Sequence, residues 1–259
     1  MHALFLATSP SEDFRSSRPF AMTKLSFIVA GVASAVGLKA FVLRAHLPLP
    51  VLILMGQTSA VGLCVAAVAS SRATATRTTW LLGKNHDGTF AWWSYPLFWP
   101  YHVGLRSKLW LQHRLSHEPV FNAVGDKGWY IGGWPRTPQH LPAGGPAVLD
   151  CTCELPRLHT LPYKCLPTWD CQGPTADLIH EGVVWAEEQR RQGKGVLVHC
   201  AHGHGRSCTV LCAALIREGT ADSIDGALEL VQKDRPRAKL NTSQRASLQE
   251  WLQQKQKLK

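Results

Sequence analysis

The sequence is short of charge. Asp, Glu, Lys and Arg make up 18% of 259 residues, while apolar types reach 45%. Such a balance excludes an intrinsically disordered chain. Acidic residues are the scarcer sign, 18 against 28 Lys and Arg, which leaves a net charge of +10. The basic excess points to anionic partners without choosing among nucleic acid, membrane and phosphorylated substrate. Cysteine, at eight residues, is too thin for a disulfide scaffold of this length. Cys64 lies inside an apolar run, and Cys208 and Cys212 are one helical turn apart. Reduced thiols in a cytosol-like compartment are expected. Paired Cys-x2–4-Cys knuckles are lacking as well. Cys151, Cys153, Cys165 and Cys171, with His159 nearby, offer a Cys-x-Cys at a strand end, which fits a zinc module badly. No internal repeat is apparent.

What the chain does have is unevenly distributed. Residues 1–24 are polar and mixed in charge; Met22, near their end, offers a second start. Residues 25–43 are apolar over 19 positions, broken only by Lys39, and Val51–Ser70 carry no charge. Each run matches the ~20 residues that cross hydrocarbon as a helix. With Pro48 and Pro50 between them, the expectation over 25–71 is a two-helix transmembrane hairpin; the alternative is a pair of buried core helices. A signal peptide is not expected, because the first run starts late and a second follows. Arg15, Arg18 and Lys24 precede the hairpin and Arg72, Arg77 and Lys84 follow it, against Lys39 and Arg44 within. This split puts both ends, and the rest of the chain, on the cytosolic side. Residues 72–118 read as a basic and aromatic juxtamembrane linker. Its segment 90–101 holds seven of the chain's 22 aromatic residues, suited either to a headgroup boundary or to covering a soluble core. Arg106, Lys108 and Arg114 follow, and suit an anionic lipid surface.

From Pro119 to Lys259 the pattern is that of one compact α/β domain, a central sheet flanked by helices. VFNAV, WYIGGW, AVLDCTC and GVLVHC are short β-rich runs bounded by Gly and Pro. Helical periodicity follows over Ala176–Gln192, Arg206–Glu218, Ser223–Lys233 and Ser243–Gln254.

The most informative stretch runs from Gly195 to Ser207. A buried strand leads into a loop with Gly203 and Gly205, and a helix begins near Arg206. Successive N–H groups of such a loop can curl around one anion, and the helix N-terminus adds partial positive charge. Cys200, at the start of the loop, faces the same field, which favours its thiolate. Arg206 can grip two phosphate oxygens with its planar fork. Nucleophile and phosphate cradle, Ala201 to Arg206, are one loop.

His199, Cys200, Arg206 and Ser207 form a His-Cys-x5-Arg-Ser run that resembles the active-site loop of the cysteine-dependent dual-specificity phosphatases, within the protein tyrosine phosphatase superfamily. The resemblance covers about residues 119–259. It implies hydrolysis of phosphomonoesters through a cysteinyl phosphate, with no metal and no other cofactor. It further implies a general acid, an Asp on a loop roughly thirty residues upstream. Asp170 stands thirty positions before Cys200, beside Pro167 and Gly173-Pro174; Asp150, Glu154 and Asp177 compete. By the same resemblance His199 hydrogen-bonds beneath the loop and helps hold the thiolate, and Ser207 assists breakdown of the phosphoenzyme. Arg235-Pro236, Asn241 and Gln244 resemble a supporting segment behind the site, and Tyr130-Ile-Gly-Gly-Trp134-Pro135 the opening strand of the domain. His202 and His204 occupy variable loop positions, where they are expected to line the pocket and to add charge below about pH 6.5. The expected partners are a phosphorylated protein or phospholipid substrate and membrane lipids, not nucleic acid. A domain of this size lacks the additions that deepen a tyrosine-specific pocket, so phosphoserine, phosphothreonine and phosphotyrosine on proteins come first. Phospholipid or phosphoinositide headgroups come second, and an inactive phosphate-binding adaptor last.

Overall fold

A computed structural model describes residues 24–257. The polar segment 1–23, with Arg15 and Arg18 of the charge argument and Met22, lies outside the described residues.

The chain opens with two apolar helices, α1 (Lys24–Val42) and α2 (Leu49–Val68), packed side by side as a hairpin. Pro48 caps α2 from extended backbone and Pro50 falls in its first turn, where no N–H donor is required. The small residues Ala33 and Gly62 bring the two axes close: a Cβ on Gly62 would lie 2.7 Å from that of Ala33. The hairpin is as expected, but its reading as two spans is not supported. Among the described residues, only α2 is long and apolar enough to cross a membrane; the apolar stretch of α1, Ser26–Val42, is shorter.

Residues 72–118 are not a linker. A short helix α3 (Arg72–Ala75), a turn-rich stretch and the 22-residue α4 (Ser94–Leu115) form a folded layer. The aromatic segment bends α4 where Pro100 interrupts the ladder and Phe98 leaves helical geometry. Leu82, Phe90 and Phe98 of this layer share a buried cluster with Val61 and Val65 of α2 and with Cys153 and Trp169 from the following domain. Boundaries drawn from composition thus cut through one core.

The α/β domain is a five-stranded sheet of β1 (Phe121–Val124), β2 (Trp129–Gly132), β3 (Ala147–Asp150), β4 (Tyr163–Cys165) and β5 (Val196–His199), in the order β1-β2-β5-β3-β4. Only β1 runs antiparallel to its neighbour. The central β5 and β3 are buried at every position, as parallel strands covered on both faces must be. Four strands follow the expected runs. β4, three residues long and only partly buried, has no pattern by which to read it. Helices α5 (Ala176–Arg191), α6 (Arg206–Glu218), α7 (Ile224–Asp234) and α8 (Thr242–Lys257) lie close to the expected ranges and complete the main core.

Candidate active site

Strand β5 delivers Cys200 at its carboxyl end, in the middle of the sheet, and α6 starts six residues later. The intervening loop is held from outside by its carbonyls. Ala201 O accepts from Trp134 N (3.3 Å), His204 O from Lys239 N (2.9 Å) and Gly205 O from Thr209 N (2.8 Å). Arg235 donates to His202 O at 2.6 Å. In a trans peptide the N–H points opposite its carbonyl, so these ties turn the following N–H groups inward. The Gly203 N–H reaches Cys200 Sγ at 3.3 Å, and the Ser207 hydroxyl donates to the same sulfur at 3.4 Å. Gly203 has no substitute: its φ is +76°, and a Cβ would stand 2.5 Å from the Gly132 carbonyl carbon. Burial pushes the Cys200 thiol up, but Arg206 and the Ser207 and loop donors outweigh it, and the thiol lies below its ordinary 9.0.

Arg206 is almost fully buried and points across the loop toward the segments after β3 and β4. Nη1 and Nη2 meet Glu154 at 2.9 and 2.7 Å, a fork-to-fork pair, and Nη1 also donates to Thr168 O at 2.7 Å. Asp170 Oδ1 lies 3.2 Å from Nη2. The Nε of Arg206 is buried and meets no acceptor among the described residues. Buried polar groups of this kind are ordinarily paired. An oxyanion in the loop would pair it.

The structure brings Cys200, Arg206, Ser207 and Asp170 together. Asp170 is half exposed, with Trp169 beside it buried and tied to Thr78 Oγ1 at 3.2 Å. Cys171, which follows, has φ +63°, a conformation rare for a side-chain-bearing residue, and its carbonyl accepts from Asn241 at 2.9 Å. The segment foreseen behind the site thus acts from both sides: Arg235 holds the phosphate loop and Asn241 the Asp170 loop. Gln244 packs against Gly205 and accepts from Asn241 N at 3.0 Å. Of the rival acids, Asp150 is enclosed below the sheet end, Glu154 is committed to Arg206, and Asp177 sits in the first turn of α5.

His199 and the loop histidines differ from expectation. His199 Nδ1 lies 3.3 Å from Cys200 O and Nε2 lies 3.7 Å from Asp150, so it braces the backbone and not the sulfur. Burial holds it below the usual histidine range, and at neutral pH it carries no charge. His204 turns its ring away to Glu118, at 2.8 Å, and His202 stacks on it. Burial lowers both below the ordinary histidine value, and Asp170 for His202 and Glu118 for His204 oppose it. The His204 ring is thus engaged by Glu118, and the His202 ring by His204.

Two contributors escaped the sequence reading. Glu154 reads from sequence only as a rival acid, but a carboxylate in an otherwise buried run needs a cation, and the fold supplies Arg206. Lys84, taken for a flanking charge, is fully buried. Its ammonium donates to Asp150 Oδ2 (2.7 Å), Thr152 O (2.8 Å) and Thr152 Oγ1 (3.2 Å). Asp150 accepts further from Tyr163 (2.7 Å) and from Thr152 N (2.8 Å). Although burial opposes it, Lys84 with His199 and these donors holds the Asp150 carboxyl at about 2.

Residues 146–254 match the family described as dual specificity phosphatase, catalytic domain. Over 99 residues the chain is 35% identical to dual specificity protein phosphatase 22-B of Danio rerio, covering 37% of this chain and 52% of that relative. It therefore spans about half the length of the curated relative it matches. Among solved structures it is similar to Tk-PTP in its active form (29% identity, TM-score 0.47, 51% of this chain and 96% of that one). It is also similar to PTPMT1 in complex with PI(5)P (23% identity, TM-score 0.46, 52% and 96%). Residues 146–254 are thus similar to the catalytic domain of dual specificity phosphatases.

Proposed function

We propose that this chain, whose residues 146–254 match the dual specificity phosphatase catalytic domain, hydrolyses phosphomonoesters through a covalent phosphocysteine at Cys200. One observation carries the reading most directly: the Gly203 N–H and the Ser207 hydroxyl both donate to Cys200 Sγ, in a loop that ends on the buried Arg206, whose Nε meets no acceptor among the described residues. Thiolate and oxyanion cradle are then in one loop, the arrangement that phosphoryl transfer needs.

The Cys200 thiolate attacks phosphorus, the P–O bond to the leaving group breaks, and Asp170 gives that oxygen its proton. Loop N–H groups and Arg206 take the charge on the equatorial oxygens, as positioned donors do in phosphoryl transfer generally. In the second step Asp170 removes a proton from water, whose oxygen attacks phosphorus as the S–P bond breaks. Inorganic phosphate leaves and the thiolate returns, held by Ser207. Glu154 and Thr168 hold Arg206 in place between turnovers. His199 positions the backbone of the nucleophile. An inactive adaptor has no use for this full set. Phosphorylated side chains of proteins and phosphorylated lipid headgroups both present the dianion that the loop fits.

The hairpin serves as a membrane anchor that presents the catalytic domain to the cytosol. Supporting this are the length and apolarity of α2 and the large exposed side chains Phe27, Ile28, Val32, Phe41 and Ile53, which water would not cover favourably. Cys200→Ser tests the chemistry: its hydroxyl stays protonated, and turnover should fall about 10⁴-fold or more with phosphate affinity retained. Substantial residual hydrolysis would exclude the covalent route.

A further inference from the structure

A groove of about 350 Å³ runs along the hairpin and ends at Glu154 and Asp170. Val29, Val32 and Val36 of α1 and Val61 and Val65 of α2 form its walls. α4 closes its base with Tyr101, Gly104 and Lys108, beside Glu154, Trp169 and Asp170. The two ends differ in chemistry. Over the hairpin the lining is aliphatic apart from Ser26 and Thr58 near its two ends. At the base stand the Lys108 ammonium and the Asp170 carboxylate, itself 3.2 Å from Arg206.

Its length is informative. From Ser26 to Val36, and from Ala69 back to Thr58, the lining covers about ten residues of each helix. At 1.5 Å rise per residue that is about 15 Å. A bilayer's hydrocarbon core is about 30 Å thick, so the groove is as long as one leaflet, the depth of one lipid chain. Ile28 and Val32 are about three-fifths exposed, so the groove opens sideways onto the apolar surface of the hairpin. A lipid could enter it from the bilayer without leaving hydrocarbon.

We infer that this groove seats a hydrocarbon chain of the substrate, and that the substrate is a membrane lipid ending in a phosphomonoester. The chain lies between α1, α2 and α4, and the phosphate reaches the Cys200 loop past Asp170, with Lys108 matching its charge. The inference rests on the phosphatase reading above and narrows it, placing lipid ahead of phosphoprotein. A phosphopeptide has no apolar tail for a groove of this length, and its polar backbone would be desolvated there without partners.

The full chain, reconstituted in phosphatidylcholine vesicles, is assayed on dioleoyl phosphatidate, on glycerol 3-phosphate (the same headgroup without chains), on a phosphotyrosine peptide and on p-nitrophenyl phosphate. The expected kcat/KM for phosphatidate exceeds that for glycerol 3-phosphate at least 100-fold and also exceeds that for the peptide. Gly104→Leu puts a side chain into the groove where a Cβ meets nothing within 4 Å. It should cut the phosphatidate to glycerol 3-phosphate ratio at least tenfold. Ile28→Trp, a substitution at an exposed site on the opposite wall, should do the same should the first variant fail to fold. A ratio near one in the unmodified protein, a ratio unmoved by a folded plug variant, or a preference for the peptide would each overturn the inference while leaving the phosphatase standing. Failure on p-nitrophenyl phosphate as well would instead remove both.

Discussion

At Asp170 burial holds the proton on, while Arg206 and the Cys171 N–H pull it off, and the carboxyl rests below its ordinary 3.8. A general acid needs the reverse. Substrate supplies it: a phosphate dianion that engages Arg206 removes the cation's pull and adds negative charge beside the carboxyl. Asp170 is therefore expected to bind its proton only in the complex. The pH profile of kcat, which reports the complex, should show a descending limb well above 3.8 that vanishes in Asp170→Asn. The same variant should lose about 10²–10⁴ in kcat on alkyl phosphates and far less on p-nitrophenyl phosphate, whose leaving group departs without a proton. Equal losses on both would reject Asp170 as the acid. The ascending limb belongs to Cys200, whose thiolate forms as pH rises through a value below 9.0.

Between elements, the buried Lys84–Asp150 pair joins the layer before the domain to the end of β3, next to His199 at the end of β5. Its titration is remote from the working range. Asp150 is depressed, so its stabilisation is complete above about 3.8 and lost as pH falls through about 2. Lys84 is raised above 10.5, so its share persists below 10.5 and is lost only at higher pH. Removing one partner is another matter, because it strands a buried charge. Lys84→Met should cost about 3–5 kcal/mol, roughly 10 °C in Tm for a chain of this size. Thermal unfolding checks it, and Asp150→Asn added to Lys84→Met should restore part of the loss. A Tm within about 2 °C of the parent for the single variant would show that the pair is not a support.

For the molecule as a whole, residues 119–259 should not behave as a free domain. Cutting there removes Lys84 from Asp150, Thr78 from Trp169, and Gly88 O from Arg157 N, and uncovers Cys153 and Leu155. A fragment 72–259 should unfold cooperatively, whereas 119–259 should aggregate or unfold at markedly lower denaturant; calorimetry and light scattering distinguish the two. In sealed vesicles the catalytic domain should be digested by protease added to the cytosolic side. Extraction of the full chain by carbonate would remove the membrane placement.

Much of the active site was legible because it is contiguous. Strand, cysteine, glycine loop, arginine and helix occupy Val196–Glu218 without a break, and backbone geometry alone brings Cys200, Gly203 and Arg206 around one point. The four helices after Thr175 were likewise legible, since each carries its own cap or apolar period. Asp170, singled out by its spacing to Cys200 and its turn-forming neighbours, lies 3.2 Å from Arg206. The remainder depended on partners far along the chain. Lys84 lies 66 residues from Asp150 and Glu154 lies 52 from Arg206. A charged residue in sequence reads as surface until something buries it. Composition marked 72–118 as a linker because its Trp, Tyr and Arg suit an interface equally well. Only the fold, by laying α4 over the base of the hairpin, turned it into a wall of the site. The histidines of the loop show the same limit: their positions were certain, but the direction of each ring was decided by Glu118, 86 residues away from His204.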